Sequence, residues 1–186
     1  MEFKKTIPED WVAVVDENDQ FIRWASRQEV HQKHLVHRSI HVLVFDSQNR
    51  LVVQQRSANK ATYPSYWDVS CSGHVECIDY QSEPNEDLDE LYRRVAQREL
   101  EEELGVIADL HYIQSFKPVA NVHYEQFQLF MAHSDGPFVL QASEVSQVDA
   151  ISYHEWDTWL QTVSHTNTLK MLSKYMRQHQ YWKAES

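Results

Sequence analysis

Arg98-Glu99-Leu100-Glu101-Glu102-Glu103-Leu104-Gly105-Val106 is the stretch that decides this chain. It reads as the last turns of a helix stopped by Gly105. At 100° per residue, Glu99, Glu102 and Glu103 cluster on one side, because residues three and four apart are neighbours. Leu88, Tyr92 and Val95 fall on the same side upstream, while Glu101 points the other way, to solvent. A face that begins as an apolar stripe therefore ends as a face of carboxylates. Like charges at this spacing repel one another, and a cation among them relieves the repulsion. An all-oxygen ligand set suits Mg²⁺ or Mn²⁺. The bland alternative is a solvated acidic face with Arg93 and Arg94 nearby. Against it stand the alignment of the acids with the apolar stripe and the way Gly105-Val106 leads directly into a strand-like run.

The bulk composition narrows the class. A chain of 186 residues, 42% of them hydrophobic and 12% aromatic, suits one folded domain with small terminal additions. A net charge of −11 argues against nucleic-acid binding, which needs a positive surface. It leaves room for a phosphorylated small substrate, since a bound divalent ion reverses the local sign. Cys71 and Cys77 are too few for a disulfide framework, so a reducing cytoplasm is expected. Met1-Glu2-Phe3-Lys4-Lys5 lacks the apolar run of a signal peptide, and no stretch approaches a membrane span, so no membrane partner is expected.

Along the chain, residues 11–25 read as a small hairpin around Asp16-Glu17-Asn18-Asp19. Residues 1–36 are expected to be an N-terminal extension packed on a domain formed by 37–186. Ser39–Phe45 and Leu51–Arg56 make a strand pair, and Tyr66–Ser70 a short strand running into Ser72-Gly73-His74-Val75-Glu76. The long helix starts near Asp87, Val106–Phe116 is strand-like, and His123–Ala132 is the best strand of the second half. Residues 154–162 and 166–180 read as two helices. Strands around one central helix, with helices at the end, predict an α/β fold, an α/β/α sandwich with a mixed central sheet.

Gly73, a loop, and a helix ending Arg98-Glu99-Leu100-x-Glu102-Glu103-x-Gly105-Val106 resemble the Nudix box. That pattern runs glycine, five residues, Glu, seven residues, then Arg-Glu-aliphatic-x-Glu-Glu-x-Gly-aliphatic. Its second half matches at every defined position, and the resemblance covers roughly residues 37–160. The first half departs. After five intervening residues from Gly73 stands Asp79, which lies 98 − 79 = 19 positions before Arg98 where the pattern has eight. An insertion of 19 − 8 = 11 residues within Cys77–Asp89 is implied. Counting back from Arg98 puts Glu90 in the place of the first glutamate, as support for Arg98.

The resemblance implies a Mg²⁺- or Mn²⁺-dependent hydrolase of the acid-anhydride class. It would cleave a diphosphate linkage in a small metabolite, either a nucleoside diphosphate linked to a further moiety or an isoprenoid diphosphate. It implies Glu99, Glu102, Glu103 and the Gly73 carbonyl as metal ligands, and Glu99 or Glu144 as the catalytic base. Arg56 is placed to pair with phosphate oxygens; Trp67 is a candidate to stack on a planar group, with a core role the favoured one for such a ring. A homodimer follows by analogy alone.

The chain is also similar to the isopentenyl-diphosphate delta-isomerases, which use the same fold with an altered box. Their metal site would fall on His31, His37, His74 and Glu125, with His123 two residues before that glutamate. Their catalytic cysteine falls on Ser72, and Cys71 is one position away, on the other side of a strand. The intact box favours the hydrolase. The isomerase and a non-catalytic ligand-binding sensor on the same scaffold are the alternatives.

Overall fold

Alternating apolar residues and one long amphipathic helix give the chain its elements. A computed structural model describes residues 7–81, 83–84, 87–119 and 123–184. In order they form β1 (Val12–Val15), β2 (Phe21–Ala25), α1 (Arg27–Lys33), β3 (His37–Phe45), β4 (Leu51–Arg56), β5 (Trp67–Asp68) and β6 (Cys71–His74). A 3₁₀ turn at Cys77–Asp79 precedes α2 (Leu88–Leu104), and β7 (His111–Phe116), β8 (Glu125–His133), β9 (Val145–Ile151), α3 (Trp156–Thr162) and α4 (Asn167–Gln178) follow. Helices with a mixed sheet define an α/β protein. The chain divides into two compact units, one within residues 1–41, 72–98 and 112–130, the other within 42–71, 99–111 and 131–186.

In the first unit, β1 and β2 form an antiparallel hairpin from Val12↔Ala25 to Val15↔Phe21. Its turn is closed by Asp16 Oδ1, which accepts from the Asn18 and Gln20 amides at 2.8 and 2.9 Å. β1 pairs β3 at Val14↔His37, β6 and β8 also pair β3, and β7 pairs β8. Val12, Val14, Ala25 and Val30 make a small core with Leu35 packed against it. Ser26 caps α1 by accepting from the Glu29 amide, and His34 ends it in the left-handed region at φ 54°.

Arg38 of β3 is fully buried and would be costly without partners. It has them: Nε donates to Asp19 Oδ1 at 2.7 Å, Nη2 to the Asp19 carbonyl at 2.6 Å and Nη1 to the Tyr80 hydroxyl at 2.9 Å. The Tyr92 hydroxyl donates to the other Asp19 oxygen at 3.0 Å. One buried guanidinium thus ties the hairpin turn to β3, to the segment after the 3₁₀ turn and to α2.

In the second unit, β4 pairs the end of β3 (Val44↔Val52, Phe45↔Leu51), β5 (Gln55↔Trp67) and β9 from Leu51↔Ile151 to Arg56↔Val145. Trp156 and Trp182 are buried edge to face at 5.2 Å, and the Trp182 indole donates to the Asn49 carbonyl at 3.0 Å. Each such side chain contributes on the order of 2–3 kcal/mol by burial. α2 ends where expected. Gly105 has φ +66°, and a Cβ there would lie 2.7 Å from Val139 Cβ, so this stop needs glycine twice over. The strand expected from Val106 starts only at His111. Among the described residues no helix is long and apolar enough to cross a membrane.

Candidate active site

The stripe on α2 behaves as its spacing requires. Tyr92, Val95, Glu99 and Glu103 are buried and Glu101 is exposed. Glu102, at the edge of the stripe, is exposed as well, so two of the three expected acids are enclosed. In the second unit, Gln54 of β4 donates its amide to Glu103 Oε2 at 2.9 Å, and the Gln141 amide donates to the Glu103 carbonyl at 3.1 Å. The Glu103 carboxylate is thereby held in one place, with its helix end pinned from two sides. Gly73 lies on β6, in the first unit.

The other candidate residues of the second unit are engaged differently. Trp67 is buried on β5, with its ring 5.5 Å from Trp159 and nearly perpendicular to it. It packs as a core residue, the role the sequence favoured for it. Arg56 donates to the Thr62 carbonyl and hydroxyl at 3.1 and 3.3 Å and to Asp68 Oδ2 at 3.3 Å. Its guanidinium therefore holds the 57–66 loop. Glu144 forms an ion pair with Lys60, and its carbonyl accepts from the Ser57 amide at 2.8 Å.

In the first unit, the carboxylate set on Arg98 is Asp79. Arg98 Nε and Nη2 reach its two oxygens at 3.0 and 3.1 Å, and Asp79 Oδ2 also accepts from the Glu76 amide at 2.8 Å. Asp79 thus takes the place that counting back from Arg98 gave to Glu90. Glu90 is exposed and lines a groove of about 430 Å³ with Asp87, Arg93 and Phe130. The eleven extra residues therefore fall after Asp79. The signal was present in the sequence, at the box's own spacing from Gly73.

The histidines converge. His31 of α1, His37 of β3 and His74 of β6 each offer a ring nitrogen, all within 4.8 Å of one another. His37 and His74 stack at 5.1 Å with a 7° angle, and the His31 ring meets both edge-on at 5.3 and 5.2 Å. His37 Nδ1 lies 2.8 Å from the Leu35 carbonyl, which requires its hydrogen on Nδ1 and leaves Nε2 a bare lone pair. Nε2 of His37 and Nε2 of His74 are both buried without a partner. Two such atoms cost about 1–3 kcal/mol each when nothing binds them. A divalent ion satisfies both, and three imidazoles are a donor set for one. Burial first, and then the neighbouring His37, push the His74 ring well below its ordinary range. The same causes lower His31. Neutral rings are the metal-binding form.

Glu125 of β8 is not among the three residues whose ligand atoms converge; it lies against Ser39 and His41 of β3. Burial works to raise its carboxyl, but the neighbouring histidines, His41 first, hold it well below the usual range. The Ser39 hydroxyl donates to Glu125 Oε2 at 2.9 Å, and His41 Nε2 lies 3.4 Å from the same oxygen. His123 Nδ1 sits 3.2 Å from the Glu125 carbonyl. The sequence reading grouped His31, His37, His74 and Glu125; the three histidines converge, while Glu125 contacts Ser39 and His41, which that reading missed. Their signal was the alternation His37-x-Ser39-x-His41, which puts all three on one face of β3.

The chain is 37% identical over 124 residues to an isopentenyl-diphosphate delta-isomerase of Schizosaccharomyces pombe, covering 62% of this chain and 53% of that protein. It spans about half the length of the isomerases it matches. It is 36% identical over 139 residues to an uncharacterized Nudix hydrolase of Pseudomonas aeruginosa, covering 73% of this chain and 75% of the relative. A Deinococcus radiodurans protein of known crystal structure superimposes with a TM-score of 0.74 over 89% of this chain and 98% of its own, at 20% identity, so the fold is shared. The NUDIX domain model matches residues 35–171. With most of the chain matched and the second half of the box complete on α2, this protein belongs to the NUDIX domain family.

Proposed function

We propose that this chain is a Mg²⁺- or Mn²⁺-dependent hydrolase that cleaves a diphosphate linkage in a small phosphorylated metabolite. The substrate is either a nucleoside diphosphate joined to a further moiety or an isoprenoid diphosphate. The observation that carries this reading is the buried pair Glu99 and Glu103 on one face of α2, with Gln54 fixing Glu103. Glu99, Glu102 and Glu103 would hold the ion, which when bound neutralises diphosphate charge and makes water a better nucleophile. Glu99 is the better candidate for the base, because the Glu144 carboxylate is committed to Lys60. Phosphate release from a panel of both substrate classes, with Mg²⁺ or Mn²⁺, tests this. Equal rates for wild type and Glu103→Gln would remove the assignment.

A second reading has its own observation. The imidazole cluster of His31, His37 and His74 supports an isopentenyl-diphosphate delta-isomerase. Those three residues would hold an ion, and imidazole ligands favour Mn²⁺ over Mg²⁺ there. Ser72 stands where the isomerase reading needs a thiol, and Cys71 is fully buried, which keeps this reading second. Deuterium uptake from solvent into isopentenyl diphosphate would move it to first place; no uptake at high enzyme concentration would end it.

A further inference from the structure

We propose that Tyr63 and Tyr66 form a stacking platform for the base of a nucleoside diphosphate, which puts the substrate in the nucleoside class and not the isoprenoid class. This rests on the hydrolase reading, whose substrate it names. The register of β4 and β5 places the rings. Gln54 pairs Asp68 and Gln55 pairs Trp67. One step further in the same register, the Arg56 amide donates to the Tyr66 carbonyl at 2.9 Å. Residues opposite one another share a face, as do residues two apart on a strand. Gln54, Arg56, Asp68 and Tyr66 therefore stand on one face of the sheet, where the Arg56 guanidinium meets Asp68 Oδ2 at 3.3 Å. Trp67 turns the other way, onto Trp159. The face that carries Tyr66 is the one from which Gln54 holds Glu103. Two strand steps, about 7 Å, separate Gln54 from Arg56, a gap that the ribose between a diphosphate and its base bridges.

The 57–66 loop is built to present these rings. Tyr63 is 50% and Tyr66 37% exposed, with ring centroids 5.5 Å apart and planes at 56°. Tyr63 and Ser65 both sit at positive φ, 50° and 63°, which residues other than glycine rarely adopt. Neighbouring contacts hold that backbone. The Gln55 side chain donates to the Ser65 carbonyl at 3.0 Å, the Ser65 amide to the Arg56 carbonyl at 3.2 Å, and the Tyr66 amide to the Tyr63 carbonyl at 3.2 Å. Two large rings kept in solvent on a strained backbone gain little for the fold, and a flat partner laid on them offsets both costs. The chemistry of the rings selects that partner. A tyrosine face stacks on any planar heterocycle while its hydroxyl stays in water. An isoprenoid tail has no π-face and needs an enclosing apolar wall, which half-exposed rings do not supply.

The test is equilibrium binding by the full chain with Mg²⁺ present, read by calorimetry with three probes. ADP carries the diphosphate with a base, inorganic pyrophosphate carries it bare, and geranyl diphosphate carries it on an apolar tail. Wild type is expected to bind ADP more tightly than either of the others, with the adenine proton resonances shifted upfield by the rings. Tyr66→Leu keeps apolar bulk without a ring face; it should weaken ADP by about 5- to 100-fold, abolish the upfield shift and move pyrophosphate far less. Tyr66→Phe should restore ADP binding. Tyr63→Asn puts a residue type that tolerates positive φ in the strained position, and should act in the same direction as Tyr66→Leu without loosening the loop. ADP bound no more tightly than pyrophosphate or geranyl diphosphate by wild type, ADP affinity unchanged in both ring variants, or an equal loss of ADP and pyrophosphate in them would overturn the platform and leave the hydrolase reading standing. Pyrophosphate binding that is the same in wild type and Glu103→Gln would overturn the α2 site itself, and the proposal with it.

Discussion

Replacing Asp79 by Ala is the substitution that separates the two ways of counting the box. Asp79 is 7% exposed at its side chain and accepts three hydrogen bonds, two from Arg98 and one from the Glu76 amide. The last caps the 3₁₀ turn, and loss of such a cap costs about 1 kcal/mol. Removing one partner of a fully buried pair costs roughly 3–5 kcal/mol, but Arg98 is 30% exposed and regains water, so about 1–2 kcal/mol is a fairer figure here. The sum is about 2–3 kcal/mol. For a chain of this size each kcal/mol moves the midpoint by roughly 2–4 °C, so thermal unfolding of Asp79→Ala should fall by about 4–12 °C. Glu90→Ala, at an exposed position, should stay within about 0.5 kcal/mol of wild type. Differential scanning calorimetry of the two variants decides the point. The reasoning is refuted if Asp79→Ala melts with wild type, or if Glu90→Ala is destabilised as much as Asp79→Ala.

Gly105→Ala forces a side chain into φ +66° and within 2.7 Å of Val139 Cβ, so denaturant unfolding should show a loss above about 1 kcal/mol; a neutral result contradicts the account of the helix stop. Glu99→Gln should lower kcat by about 100-fold or more, whereas Glu144→Gln, losing a partly exposed pair with Lys60, should change stability by less than about 1 kcal/mol and kcat far less than Glu99→Gln; the reverse order would make Glu144 the base. In metal-free protein the folded His74 lies below its ordinary value of 6.5. The unfolded state then takes up the proton first. Stability is therefore present above pH 6.5 and declines as pH falls below it, by up to about 1.4 kcal/mol per pH unit. Urea unfolding from pH 7.5 to 5.5 in chelator should show this slope, and His74→Asn should flatten it; a slope of the opposite sign would contradict the burial argument.

The sequence made some of this plain and hid the rest for physical reasons. The 3.6-residue period exposes α2 and its acid face, because helix neighbours are fixed by spacing alone. Gly105 marks its end because few residues tolerate that backbone. Glu102 shares a wheel face with Glu99 and Glu103 yet is exposed, because a wheel shows direction but not how wide a stripe the neighbouring strands cover. Asp79 was overlooked because an eleven-residue insertion breaks the count from Arg98, while the count from Gly73 survives it. Ser39 and His41 could not be tied to Glu125, since the register between β3 and β8 joins positions 86 residues apart (Ser39 and Glu125) and no local pattern encodes it. Trp67 is favoured as a core ring by its type alone, and Trp159 beside it fixes that role.

The most direct test of the central claim is phosphate release by wild type and by Glu103→Gln, side by side, with Mg²⁺ or Mn²⁺ and a panel of diphosphate substrates. The carboxylate face of α2 predicts metal-dependent release by wild type and a loss of at least about 100-fold in the variant, with folding unchanged. Release that is independent of metal, or equal in the two proteins, would contradict it.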